Sequence, residues 1–289
     1  MLNTLNAGHL GIRGYALPQL ITLAAETGFK GVAFDIAEAT ALANQHGAGH
    51  IRALFEFASV TPADWVAPVD WQSDDNREQQ LEELRPMLEV AAALGATTTL
   101  TWIMPGDNER ERDAQYAWYM ERLRPFACVL KEAGINLALE FIGPKTLRDS
   151  FVHEFIWTMN DVLDLARDTG TGNVGLLFDT FHFYTSHADM DEIDKLGAGD
   201  VLLVHTNDAP AGLEIDEQMD GTRTLPMETG VIPAPEMLRR LAAIGYDGPV
   251  ETEPFSERIR QVAATDPVAA AMEAFDAQKR LFKAAGLAI

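Results

Sequence analysis

The stretch "VGLLFDTFHFY", residues 174–184, decides how the chain is read. It opens with the apolar residues and glycine of a strand buried on both faces, then breaks into Asp179, Thr180 and His182. An unpaired charge at the mouth of a core is costly, so something at that strand end must need it. Other apolar runs end the same way. "INLALEFIGP" delivers Glu140, and "DVLLVHTND" delivers His205 followed by Asn207 and Asp208. "GPVETEPF" carries Glu251 and Glu253, which share a face because strand side chains alternate with a period of two.

Outward from these four, an alternation runs through the chain. Short runs rich in Val, Leu, Ile, Phe or Thr at 3–9, 30–35, 51–58, 96–102, 135–141, 173–179, 200–206 and 249–253 read as strands. Between them lie segments with helical spacing, such as "LPQLITLAAETG", "REQQLEELRPMLEVAAALG" and "AQYAWYMERLRPFACVLKEAG". "ETGFKG", "ALGATT", "EAGINL", "DTGTGN" and "AIGYDG" each place a glycine just past a helical pattern, where a left-handed C-cap is wanted. Asn160 and Asp161 are the N-cap candidates before "VLDLARDTG". Eight strands alternating with helices in 289 residues is the arithmetic of a single α/β domain, a (β/α)8 TIM barrel over residues 1–289. A doubly wound open sheet is the alternative, and the loosely spaced "AGHLGIRGY" does not give the G-x-G-x-x-G that would support it.

Composition narrows the partners. Lys plus Arg number 22 against 44 Asp plus Glu, a formal charge of −22 that repels phosphate backbones and anionic membranes. Neither nucleic acid nor a membrane is expected. No stretch approaches the roughly 18 apolar residues of a membrane helix, "MLNTLNAGHL" lacks a secretory pattern, and a cytoplasmic location is the expectation. The single cysteine, Cys128, lies in a helical pattern and is expected to be a small core residue.

In a barrel the strand ends named above meet on one rim. Three carboxylates buried together beside an imidazole would repel one another, and a divalent cation bound by all four groups relieves that cost. The donor set is hard, suiting Mn²⁺, Mg²⁺ or Co²⁺ better than the thiolate sets of structural zinc. Taken singly, each acid could instead cap a helix, and the histidine could be an ordinary hydrogen-bonded core group.

The motifs "LALEFIGP", "FDTFHF", "VHTNDAP" and "GYDGPVETEPF" carry a resemblance. The chain resembles the xylose isomerase-like barrel superfamily of sugar isomerases and epimerases, from "ITLAAETGFKGVAFDI" to "IGYDGPVETEPF". The resemblance implies one divalent metal held by Glu140, Asp179, His205 and Glu253, with Glu251 competing for the last place. Manganese is preferred, with magnesium, cobalt or zinc as alternatives. It also implies that Glu140 and Glu253 face opposite sides of a keto-sugar and move a proton beside its carbonyl through a metal-stabilised enediolate, as in ketose 3-epimerases. His182 and Arg223 would hold substrate hydroxyls. Two features depart from that pattern: "PMETG" replaces a Pro-Gly-x-Gly turn, and Thr206 and Asn207 follow His205 where many ketose epimerases have an acid.

Other groups have two readings. Lys145, Arg148 and His153 in "GPKTLRDSFVHE" could grip an anionic substituent or be surface charge. Trp102 and His9, at the ends of strands 4 and 1, are expected in the pocket wall, where a sugar's apolar face would rest on the indole; core packing is the alternative for Trp102. The expected partner is a small sugar or cyclitol, with a homo-oligomer possible. A lyase that expels a β-hydroxyl from a keto-inositol or dehydroshikimate-like substrate, with His182 or His153 as acid, is the competing activity. The metal-dependent nuclease branch of the superfamily is disfavoured by the acidic charge, and a metal-free binding subunit is the remaining alternative.

Overall fold

A computed structural model describes all of residues 1–289. Eight parallel staves form its centre: β1 (Leu2–Leu5), β2 (Gly31–Val32), β3 (Thr61–Pro62 and Asp64–Val66, interrupted at Ala63), β4 (Thr98–Ile103), β5 (Asn136–Phe141), β6 (Val174–Asp179), β7 (Val201–Thr206) and β8 (Pro249–Thr252). Each pairs in parallel with its neighbour in sequence, and β8 pairs with β1. The nine hydrogen-bonded runs begin and end on the two halves of β3, so the sheet curls round to its own third stave. Helices α1 (Leu17–Thr27), α2 (Ile36–His46), α3 (Ala48–Ala58), α4 (Arg77–Leu94), α5 (Arg112–Glu132), α6 (Met159–Asp168), α7 (Thr180–Thr185), α8 (Ala234–Ala243), α9 (Glu257–Thr265) and α10 (Pro267–Ala284) complete the TIM barrel. No helix is long and apolar enough to cross a membrane.

Two cores result, as a closed sheet requires. The larger lies between staves and helices, and a separate group of Leu100, Ala138, Leu177 and Leu203 fills the barrel interior. One alternation step further along β4 to β7, the same inward face carries Trp102, Glu140, Asp179 and His205. The apolar plug and the polar mouth are therefore consecutive layers of one face.

All five glycines read as C-caps have positive φ. At Gly28 the choice is doubly forced: φ is 101°, and a Cβ would lie 2.7 Å from the Phe275 ring. Several sequence expectations are corrected. Residues 51–58 are not the third strand but the body of α3, with β3 lying just beyond it. Ile51 and Phe55 are buried and Leu54 and Ala58 half-buried, a helical stripe that the β-favouring composition concealed. Stave β1 stops at Leu5, leaving His9 in the loop that follows. The N-cap of α6 is Thr158, whose hydroxyl accepts from the Asp161 N–H at 3.2 Å, so neither Asn160 nor Asp161 is the cap. Cys128 is exposed rather than core, on the outward side of α5.

The α3 correction makes a direct prediction. In a strand Phe55 and Phe57 would share a face, but here Phe55 is 2% exposed and Phe57 94%. Phe55→Ala should destabilise by about 3 to 5 kcal/mol, whereas Phe57→Ser should stay within about 0.5 kcal/mol of the parent. Urea unfolding of the two variants checks it, and equal losses would contradict the helix.

Candidate metal centre and substrate pocket

Register sets the heights of the polar groups. Asp179 is level with His205, and His205 with Glu251, across neighbouring staves. Trp102 is level with Glu140. Glu253 follows the end of β8 and stands above Glu251. Glu140, Asp179, His205 and Glu253, all buried, each offer a ligand atom within 4.8 Å of the others.

Asp179 is already well supplied. Its Oδ1 accepts the N–H groups of Phe181 and His182 at 2.6 and 3.1 Å, so it does cap α7. The Asn207 amide donates to both its oxygens at 3.2 and 3.1 Å, and Arg223 Nη1 donates to Oδ2 at 2.9 Å. Asn207 is itself fixed, because its Oδ1 accepts from the Thr180 hydroxyl at 2.9 Å. The amide must therefore turn its NH₂ toward Asp179.

Arg223 is the central cation among these groups. Nη1 also donates to Glu253 Oε2 at 2.7 Å, and Nη2 to Asp220 Oδ1 at 2.7 Å. The guanidinium lies between the rings of Phe181 and Phe255, 4.6 and 4.7 Å from their centroids. Phe255 adopts φ 37°, a strained conformation for a bulky residue, at the position that places its ring on Arg223. Burial opposes the charge on Arg223, but Asp179, Glu253 and Asp220 outweigh it and hold the guanidinium protonated.

One arginine does not satisfy the whole group. Glu140 Oε1 and both His205 ring nitrogens are buried without a hydrogen-bond partner. Glu140 Oε1 lies 3.6 Å from His205 Nδ1, which is 3.7 Å from Glu253 Oε2. Burial pushes the Glu140 carboxyl up, reinforced by Glu253. Burial would lower His205, but Glu253 and Glu140 overcome it and raise the imidazole well above its usual range. For Glu253 burial is likewise outweighed, here by His205, His9 and Arg223, and the carboxyl is held well below its usual range. Unpartnered donors of hard chemistry converging on one point fit a divalent ion, whose ligand atoms stand about 3 to 4 Å apart at bond lengths of about 2.1 Å.

Beneath this group lies a second polar tier that the sequence reading did not find. Asp64, on β3, and Glu251 are both fully buried, and Asp64 Oδ1 and Glu251 Oε1 have no hydrogen-bond partner. Burial is the main cause of the raised position of both. Asn6 Nδ2 donates to Glu251 Oε2 at 2.9 Å, and His205 Nε2 and His9 Nδ1 each lie 3.6 Å from it. Burial takes His9 down to about 4, so its ring is neutral near pH 7. His9 Nε2 reaches to 3.4 Å from Glu253 Oε1. Of the two acids considered for the last ligand, Glu253 stands with Glu140 and Asp179, and Glu251 groups with His9 and His205.

A cavity of about 260 Å³ opens above the centre. Its apolar wall is Trp102, Met104, Ile142, Leu147 and Phe255, and Glu140, His182, Asp220, Arg223 and Glu253 are its polar lining. Trp102 remains 47% exposed, as a wall residue would. His182 is held by the Gly143 N–H, which donates to its Nδ1 at 3.2 Å. A Cβ at Gly143 would stand 2.3 Å from the His182 carbonyl oxygen, so only glycine permits this approach. Lys145 is not brought to the cavity: its ammonium pairs with Asp149. Nor is His153, which belongs to a short antiparallel pair with Gly106–Asp107. Arg148 is engaged with Glu154, the Gly143 carbonyl and the Trp157 ring.

A family model described as xylose isomerase-like TIM barrel matches residues 21–281. The chain belongs to this family. Among the relatives of this xylose isomerase-like barrel, the inosose isomerase of Bacillus velezensis is 23% identical over 238 residues, covering 80% of both chains. The L-ribulose 3-epimerase of Mesorhizobium japonicum is 28% identical over 129 residues, 45% of this chain and 37% of that one. The crystal structure of an IOLI protein with a bound zinc atom superposes with a TM-score of 0.75 at 19% identity, covering 99% of this chain and 98% of that one, a likeness of fold.

Glu253 and Glu140 favour the protonated form of the His205 imidazole and a metal ligand must be deprotonated, so a divalent ion held here would compete with a proton. The expected outcome is tighter metal binding at pH 8 than at pH 6, with net proton release. Chelator competition at the two pH values checks it, and a pH-independent affinity would contradict the assignment.

Proposed function

We propose that this barrel is a divalent-metal-dependent isomerase or epimerase of a keto-sugar or keto-inositol, acting by proton transfer beside a carbonyl. The observation that carries the reading is the pair of buried carboxylates, Glu140 and Glu253, both lining one cavity and both abutting His205. A divalent ion held by Glu140, Asp179, His205 and Glu253, with manganese as first choice, would supply a Lewis acid that polarises the substrate carbonyl. The rest of the work falls to the protein. One of Glu140 and Glu253 takes the proton from the carbon beside the carbonyl, and the other returns one to the opposite face.

Arg223, whose N–H groups are engaged by Asp179, Glu253, Asp220 and His182, sets a fixed positive charge in the cavity lining, beside which negative charge develops as that proton leaves. Trp102 gives an apolar surface for one face of the ring or chain. The two curated relatives, one an inosose isomerase and one an L-ribulose 3-epimerase, support this reaction class. Elimination of a β-hydroxyl needs a further proton donor, for which His182 is the group present in the cavity and His153 is not.

Two measurements test the proposal. Incubation of the metal-loaded protein with an inosose or with L-ribulose in D₂O should place deuterium beside the carbonyl without a new ultraviolet band. An unsaturated-carbonyl absorption would establish the lyase instead. Glu140→Gln and Glu253→Gln should each lower kcat by about 100-fold or more, the usual loss for a positioned acid or base. Exchange that survives in both variants would end the two-carboxylate scheme.

A further inference from the structure

We infer that Asp220 is a specificity-determining residue that accepts a hydrogen bond from a substrate hydroxyl remote from the reacting carbons. The inference rests on the proposed keto-sugar or keto-inositol chemistry and extends it. Asp220 lies in the loop between β7 and α8 and lines the same cavity as Glu140 and Glu253. Its side chain is 31% exposed, against 9% for Glu140 and Glu253, which places it at the entrance rather than among the metal donors.

Asp220 is held for recognition. Arg223 clasps it twice, with Nη2 on Oδ1 at 2.7 Å and Nε on its carbonyl oxygen at 3.0 Å. Just before it, Gln218 is buried, donates to the carbonyl oxygens of Pro210 and Leu213, and accepts from the Thr146 hydroxyl at 2.8 Å. Beyond it, Asp208 accepts from the N–H groups of Thr229, Gly230 and Ile232, fastening the far limb of the loop. The carboxylate is thus fixed from both sides.

No protein donor reaches Asp220 Oδ2, the oxygen left when Arg223 has taken Oδ1. A carboxylate is an acceptor only, so this oxygen selects a hydroxyl and repels a phosphate or carboxylate. His182 Nε2, 3.7 Å from Oδ1, borders the position from the catalytic side. A substrate spanning the cavity would therefore meet Glu140 and Glu253 at its reacting end and Asp220 at the other. A purely structural Asp220, serving only as counter-ion to Arg223, would make no such distinction among substrate hydroxyls.

A residue-by-ligand cycle separates the two roles. Calorimetric affinities of scyllo-inosose and L-ribulose, and of the monodeoxy analogues of each, are measured on metal-loaded parent, Asp220→Ala and Asp220→Asn proteins. Asn keeps an oxygen for Arg223 while replacing the free acceptor by a donor, which covers the case in which Ala unsettles the loop. One deoxy analogue should bind the parent roughly 10- to 100-fold more weakly than its hydroxylated counterpart, and this penalty should vanish in both variants while the other penalties and the metal affinity remain. Every deoxy penalty persisting in both variants overturns the inference and leaves the proposed reaction standing. A metal-loaded parent that neither binds nor exchanges protons with either compound overturns both.

Discussion

The mouth of the barrel depends on how desolvated negative charge is compensated. Glu140, Asp179 and Glu253 are drawn together by the register of neighbouring staves, and no solvent reaches Asp179. Left alone, such a group would protonate or splay apart. Arg223 prevents this for Asp179 and Glu253 by direct pairing, and two aromatic rings hold it in the one place where it can serve both. Glu140 Oε1 and His205 Nδ1 are what it leaves unsatisfied. The ionic demand of the site is thus divided: a resident guanidinium answers the outer acids, and the inner donors remain available for a second cation.

The lower tier makes this division sharper. Burial pushes the carboxyls of both Asp64 and Glu251 up, which favours their neutral forms in the layer under His205. His205 joins the tiers, with Nδ1 toward Glu140 and Glu253 and Nε2 toward Glu251. Glu251, itself held by the Asn6 amide, is the acid facing Nε2 at 3.6 Å.

Period-two alternation made the rim legible. Once Leu177 and Leu203 are inward, Asp179 and His205 must be inward too, and no fold detail is needed to say so. The third stave was hidden because "IRALFEFA" contains strand-favouring residues while its apolar positions fall at helical spacing, and packing of Ile51 and Phe55 decides for the helix. Asp64 was missed with it, since its inward direction has meaning only when β3 is correctly placed. Asn207 was not legible as a partner of the site for another reason: its role arises from Asp179, which is close in space but distant in sequence, and Asp220, three residues before Arg223, acquires its role only once Arg223 is placed in the site. Lys145 shows the reverse error, a cation of the right type in the right loop whose charge is consumed by Asp149 one helical turn away.

The division of labour between staves and loops follows from their stiffness. Glu140, Asp179 and His205 sit on staves locked into ladder hydrogen bonds, where a displacement would have to carry the neighbouring strands with it. Arg223, Asp220 and Asn207 sit on connections whose geometry is set by a few side-chain bonds, such as Asp208 to the 229–232 backbone. Substitutions there can reshape the cavity without disturbing the ladder. A barrel of this kind can therefore keep its strand-borne carboxylates and imidazole in place while the 207–230 connection changes around them. The departure of "PMETG" from the turn that the resemblance led one to expect falls in that connection, where altered chain geometry reshapes the cavity rim and leaves Glu140, Asp179 and His205 where the staves put them.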